Sequence, residues 1–162
     1  MAEWYAKKTF GSLPARMAAR FPEREGIVFG PQRITFRELD EAVDRAAKGL
    51  LRLGVEPGDK VALWLMNQPE WIYLLFAIAR IGAVQVPVNT RFRTHDLEYV
   101  LMQSDAAVLI THDRSGPIDY MGMVREIVEL PEAGIEVSDP KHPELRRVVI
   151  LGEESHPGTL AW

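Results

Sequence analysis

The sequence contains no cysteine, which excludes disulfides, zinc–thiolate sites and a cysteine nucleophile. Long apolar runs are missing as well. The longest, Trp71 to Ala79, stops at Arg80, whereas a membrane-spanning helix takes about 20 residues. The opening Met1-Ala2-Glu3-Trp4-Tyr5-Ala6-Lys7-Lys8 lacks the apolar centre of a secretion signal, and a cytoplasmic location is expected. Positive charge is not in excess: 19 Lys and Arg against 23 Asp and Glu leave a net −4. No run of Lys or Arg alternates with aromatics, so no nucleic-acid partner is expected. The histidines His95, His112, His142 and His156 are far apart and show no H-x-x-x-H spacing, so no metal site is expected. G-x-G-x-x-G, G-x-x-x-x-G-K-[ST] and G-x-S-x-G are all absent, which removes the commonest phosphate-binding and serine-nucleophile signatures. There is no internal repeat.

What is present is an ordinary globular balance, 47% apolar and 26% charged over 162 residues, enough for one domain with a core. Strand and helix patterns alternate. Leu13 to Arg20 has helical spacing and ends at Phe21-Pro22. Ile27 to Phe29 and Arg33 to Thr35 flank Gly30-Pro31 as a hairpin. Thr35 and Glu38 form a T-x-x-E capping box, and Phe36, Leu39, Val43, Ala46, Leu50 and Leu53 follow as one apolar stripe. Glu41–Arg45 and Asp44–Lys48 are four apart on the polar side, and Gly54 supplies the stop.

Val61 to Leu65 is apolar without alternation, as a strand covered on both faces should be. Pro69 suits the first turn of a helix reaching Ile81, apolar nearly all round and expected to lie deep. Ala83 to Val88 reads as another buried strand. Thr94 caps a helix striped by Leu97, Val100 and Leu101. Ala107 to Ile110 is a strand, Tyr120 to Leu130 a helix, and Arg147 to Leu151 a last strand. The pattern predicts an α/β fold, a mostly parallel sheet with flanking helices. Residues 131–145, with Pro131, Gly134, Pro140 and Pro143, read as a surface loop.

Candidates for chemistry are sparse. His112-Asp113-Arg114 follows a buried strand, where ligands often bind, but also reads as a polar turn. Glu38, Glu41 and Asp44 lie beside basic partners and read as a solvated face. Trp64, Trp71, Tyr73 and Phe76 read as core, and Asn67-Gln68-Pro69-Glu70 as a helix start.

Several stretches together resemble the adenylate-forming superfamily, specifically acyl-CoA synthetases. They are Ile34-Thr35-Phe36-Arg37-Glu38-Leu39; Leu53-Gly54-Val55-Glu56-Pro57-Gly58-Asp59-Lys60-Val61; Asn67-Gln68-Pro69-Glu70-Trp71 leading to Ile81-Gly82-Ala83-Val84; Val86-Pro87-Val88-Asn89-Thr90-Arg91-Phe92-Arg93; Leu97 to Leu101; and Ser104-Asp105-Ala106. No single stretch is diagnostic; their order and spacing over residues 9 to 112 are specific in combination.

The resemblance implies that residues 1–162 are a partial AMP-binding domain, the amino-terminal subdomain of the adenylate-forming fold, incomplete. It implies that the intact enzyme converts a medium, long or cyclic carboxylic acid, ATP and coenzyme A into acyl-CoA, AMP and pyrophosphate through an acyl-adenylate, with Mg2+ accompanying ATP. The family's Ser/Thr/Gly-rich phosphate loop has no counterpart before Trp162. No catalytic residue and no tightly bound cofactor is therefore expected in this chain, and the chain alone is expected to be inactive.

One binding element carries over. Arg91, with Arg93 as neighbour, matches an arginine that lies near the nucleotide phosphates of coenzyme A in related enzymes. A guanidinium suits forked contact with phosphate oxygens. The other reading of both arginines is pairing with Asp96 or Glu98 at the helix start. The alternative function is a stand-alone interaction or regulatory module without catalysis; a flavodoxin-like or receiver domain is a third. Apolar surface left uncovered in a partial domain predicts self-association.

Overall fold

The capping box sits where the sequence puts it. In the computed structural model, which describes residues 9–152 and 154–162, the Thr35 N–H donates to Glu38 Oε2 at 2.8 Å and the Glu38 N–H returns to Thr35 Oγ1 at 3.3 Å. The Thr35 amide and hydroxyl hold the Glu38 carboxyl below its usual pKa. The chain separates into two compact units: residues 1–58 with 67–83, and residues 59–66 with 84–162. The amino-terminal octet read above for a secretion signal lies outside the described residues.

In the first unit a short 3-10 turn, Phe10–Ser12, leads into α1, Leu13–Arg20. Strands β1, Glu25–Phe29, and β2, Gln32–Thr35, pair antiparallel as the expected hairpin. Helix α2, Phe36–Arg52, buries Leu39, Ala42, Val43, Ala46, Ala47 and Leu50, a stripe widened by two alanines. Asp44 pairs with Lys48 at 2.6 Å, whereas among the described residues no ion pair joins Glu41 to Arg45. Helix α3, Pro69–Arg80, starts on its proline.

The all-round apolar character of α3 does not translate into depth. Leu74, Ala77 and Ile78 are buried, but Trp71, Ile72, Tyr73, Leu75 and Phe76 are half-buried. The Phe10 ring stacks on Phe76 with centroids 4.9 Å apart. Arg80 fastens the unit: its guanidinium pairs with Asp40 and approaches Asp44 at 3.9 Å, and Nε donates to the Gly11 carbonyl at 3.3 Å. A Cβ on Gly11 would lie 2.5 Å from the Arg80 Cα, so the turn reaches α3 this closely only with glycine.

The second unit is built on a five-stranded sheet. Its strands are β3, Lys60–Trp64; β4, Val84–Pro87; β5, Ala106–His112; β8, Arg147–Leu151; and β9, Leu160–Ala161. A small antiparallel pair, β6, Arg114–Ser115, and β7, Ile118–Asp119, lies between β5 and β8 in the chain. The order is β4-β3-β5-β8-β9 and every pairing is parallel, as the α/β pattern predicts. β4 is an edge rather than a buried strand, with Val84 49% exposed.

Helices α4, Thr94–Ser104, and α5, Tyr120–Ile127, bring Leu97, Leu101, Tyr120, Met121 and Val124 onto Ala62, Trp64, Leu109, Val148 and Ile150. α5 is shorter than its spacing suggests. Val128 is extended, and the Glu129 N–H donates to Asp139 Oδ2 at 2.9 Å. Residues 131–145 carry no helix or strand, yet Val137, Asp139, His142 and Leu145 are buried. This segment is pinned into the unit at four points.

Candidate functional site at the carboxyl rim of the sheet

From β3 the chain moves to β4 on one side, then passes back across β3 to β5 on the other. In open parallel sheets, ligands favour the carboxyl ends of the strands at such a reversal. The segments emerging there are Leu65-Met66 after β3, Val88 to Phe92 after β4, His112-Asp113 ending β5, and Leu151-Gly152 ending β8.

His112 joins three of them. Its Nε2 lies 3.2 Å from the Met66 N–H and its Nδ1 3.1 Å from the Leu151 carbonyl. An amide can only donate and a carbonyl only accept, so Nε2 offers its lone pair and Nδ1 carries the proton. The neighbouring Asp113 accepts from the Arg114 N–H at 2.6 Å. A Cβ on Gly152 would overlap the Asp113 carboxylate. His112 and Asp113 thus close the rim, as their reading as a polar turn implies, and both are engaged with backbone.

The turn after β4 is held differently. Trp64, fully buried at the end of β3, donates its indole N–H to the Asn89 carbonyl at 3.0 Å. Its ring meets Tyr120 edge-on, with centroids 4.6 Å apart. The Asn89 side-chain oxygen accepts the Arg91 N–H at 2.9 Å, and the Asn89 carbonyl also accepts the Phe92 N–H at 2.9 Å. The Tyr120 hydroxyl lies 3.4 Å from the Thr90 carbonyl and 3.6 Å from Met66 Sδ. Burial pushes the Tyr120 phenol above its usual pKa, and the Arg93 charge offsets part of that rise. The hydroxyl is therefore a donor at neutral pH.

The two arginines singled out by resemblance have different surroundings. Nη1 of Arg93 turns back onto its own segment, 2.8 Å from the Phe92 carbonyl, 3.0 Å from that of Arg91 and 3.4 Å from that of Thr90. The Arg91 side chain is exposed and meets no acceptor among the described residues. Among the described residues neither guanidinium pairs with Asp96 or Glu98. The Asp96 carboxylate accepts the Arg93 backbone N–H at 3.1 Å, and Glu98 faces Lys141 at 3.7 Å. Asp96 thereby replaces Thr94 as the capping side chain of α4, while the Thr94 hydroxyl turns to Glu126 at 2.9 Å.

The other candidates are structural. Glu38 serves the capping box and Asp44 the Lys48 pair. Trp64 is core with a satisfied N–H. Trp71 and Ile72 line an apolar pocket of about 190 Å3 with Ile27, Phe29 and Pro69 in the first unit. In the second unit a groove of about 740 Å3 follows the end of α5, lined by Arg125 and Lys141 together with Glu126, Glu129 and Glu132. Among the described residues no three His, Asp or Glu side chains are placed to share a metal ion. No helix among them is long and apolar enough to cross a membrane.

The sequence pattern of AMP-binding enzymes matches residues 15–159. The chain belongs to the AMP-binding enzyme family. It corresponds to the amino-terminal portion of acyl-CoA synthetases. YngI of Bacillus subtilis (strain 168), provisionally named an acyl-CoA synthetase, is 37% identical over 158 residues, covering 95% of this chain and 29% of that protein. The human mitochondrial medium-chain acyl-CoA ligase ACSF2 is 33% identical, covering 94% of this chain and 25% of the relative. A crystal structure of a provisionally named long-chain-fatty-acid CoA ligase from Rhodopseudomonas palustris CGA009 superposes with a TM-score of 0.76 at 30% identity, over 95% of this chain and 35% of that one. This AMP-binding enzyme chain thus spans about a quarter to a third of the proteins it matches, and its five-stranded parallel sheet is a part of the adenylate-forming fold.

Proposed function

We propose that the chain supplies the opening part of an ATP-dependent acid–CoA ligase. The whole protein joins a medium, long or cyclic carboxylic acid to coenzyme A through an acyl-adenylate and releases AMP and pyrophosphate. Family membership supports this reading, as do relatives whose names give acyl-CoA synthetase or acyl-CoA ligase activity. The cytoplasm is the location we propose for it.

The residues present do not fit ATP and its Mg2+. No glycine-rich phosphate loop occurs in the sequence, and the backbone amides of Met66 and Arg91 at the sheet rim are taken by His112 and Asn89. Those groups are assigned to other parts of the protein, and this chain alone performs no adenylation. Coenzyme A fits at one point. The Arg91 guanidinium, exposed, without an acceptor among the described residues and with its backbone N–H held by Asn89, is suited to a nucleotide phosphate. That arginine is the observation that carries the site assignment.

The test of function compares ATP–pyrophosphate exchange in the full-length protein and in residues 1–162, with a panel of carboxylic acids. Exchange in the full-length protein and silence in the shorter chain are expected. Exchange by residues 1–162 above a mock preparation overturns the assignment of ATP to other parts. Silence of the full-length protein with every acid overturns the ligase reading.

A further inference from the structure

The Arg91 side chain is exposed and meets no acceptor among the described residues, while Asn89 closes its turn from within through the Arg91 and Phe92 amides. Three further groups outside the peptide bonds of Asn89 to Phe92 hold the turn as well. The Trp64 indole takes the Asn89 carbonyl at 3.0 Å, and the Tyr120 hydroxyl lies 3.4 Å from the Thr90 carbonyl. Arg93 Nη1 spreads over the carbonyls of Thr90, Arg91 and Phe92 at 3.4, 3.0 and 2.8 Å. Trp64 and Tyr120 are fully buried and pack on each other, so they tie the turn to the sheet core and α5. Arg93 gathers successive carbonyls that would otherwise repel one another.

We propose that Arg93, with Trp64 and Tyr120 behind it, is a positioning residue for Arg91: it fixes the backbone from which Arg91 reaches a phosphate of coenzyme A and does not itself bind that phosphate. The inference rests on the reading of Arg91 given above. A planar guanidinium can engage several carbonyls from a defined direction, whereas an ammonium is a compact point charge. Lysine at position 93 therefore keeps the charge and loses the arrangement. If Arg93 bound phosphate directly, lysine would keep the charge and leave amide exchange in the ligand-free turn unchanged; if it positions the turn, lysine speeds that exchange as well as weakening binding.

The experiment uses the full-length protein and two readouts without turnover. Calorimetry gives the Kd for coenzyme A, and hydrogen exchange in the ligand-free protein follows the Arg91 and Phe92 amides, both bonded to Asn89. Arg93→Ala and Arg93→Lys are each expected to weaken coenzyme A binding by about tenfold and to speed exchange of both amides. Tyr120→Phe, which keeps the ring and drops the hydroxyl, is expected to weaken binding about two- to threefold, and serves if an Arg93 variant fails to fold.

The two layers separate cleanly. Unchanged affinity in Arg91→Ala sinks the reading of Arg91 whatever Arg93 does. Weakened binding in Arg91→Ala together with wild-type binding in Arg93→Lys overturns positioning and makes Arg93 a charge acting on the phosphate. Faster amide exchange without weaker binding in the Arg93 variants overturns it too. Wild-type binding in Tyr120→Phe removes the buried tyrosine from the proposal.

Discussion

The indole N–H of Trp64 donates to the carbonyl of Asn89, and that one bond at 3.0 Å ties the end of the second strand position in the sheet to the turn that carries Arg91. Trp64 is fully buried, so losing the bond would leave a buried indole N–H without an acceptor. Trp64→Phe removes the donor and part of the contact with Tyr120. We expect a loss of about 1–3 kcal/mol in urea-induced unfolding. Equal stability of the variant would show that the indole nitrogen contributes nothing to holding the turn.

Gly11 gives a prediction from space alone. A methyl there would press into the backbone of Arg80, and backbone gives way less than a flexible side chain. Gly11→Ala is expected to cost about 1–3 kcal/mol, as overpacking usually does. Gly49, inside α2 with open space around its Cβ position, is the control. Gly49→Ala should be neutral or stabilising by a few tenths to about 1 kcal/mol. A melting curve in which Gly11→Ala matches Gly49→Ala refutes the close approach.

Acid should loosen the segment after α5. Burial raises the pKa of the Asp139 carboxyl, but the Glu129 and Lys141 amides and His142 together outweigh it and hold the pKa below the ordinary 3.8. A folded pKa below the unfolded one gives stability that is present above the unfolded value and lost as pH falls through the folded value. Unfolding measured from pH 7 down to pH 2 should show this loss beginning near pH 4. In Asp139→Asn the segment should be weaker at neutral pH by about 1–3 kcal/mol and the acid slope should flatten. An unaltered slope in the variant would assign the acid sensitivity to other carboxylates.

Residues 1–162 alone are expected to self-associate. Val28 and Phe29 of the hairpin are 57% and 43% exposed, and Phe29 lines the apolar pocket with Trp71 and Ile72. Uncovered apolar surface of this kind promotes association. Light scattering over a concentration series should show growing mass, reduced by Val28→Thr with Phe29→Ser. A monomer at every concentration would count against the proposal.

What could be read from the sequence was what neighbours in the chain decide. Thr35 and Glu38 are three apart, and their reciprocal bonds follow from that spacing. Pro69 opens α3 for the same local reason. Long-range partners were not legible. Residues 160–161 are too short to show a period, yet they complete the sheet beside β8. Helix α5 was expected to continue to Leu130, but a carboxylate ten residues on takes the Glu129 amide. At the rim, Arg91 stands out only by its resemblance to an arginine of related enzymes. The turn chemistry of Asn89 and the links from Trp64 and Tyr120, 25 and 30 residues away, belong to the fold and leave no pattern in the chain.

The imidazole of His112 has a mechanical consequence. With one nitrogen on the Met66 amide and the other on the Leu151 carbonyl, it rivets three parallel ribbons at their tips, so they cannot splay independently. A molecule arriving at this edge meets a stiff platform.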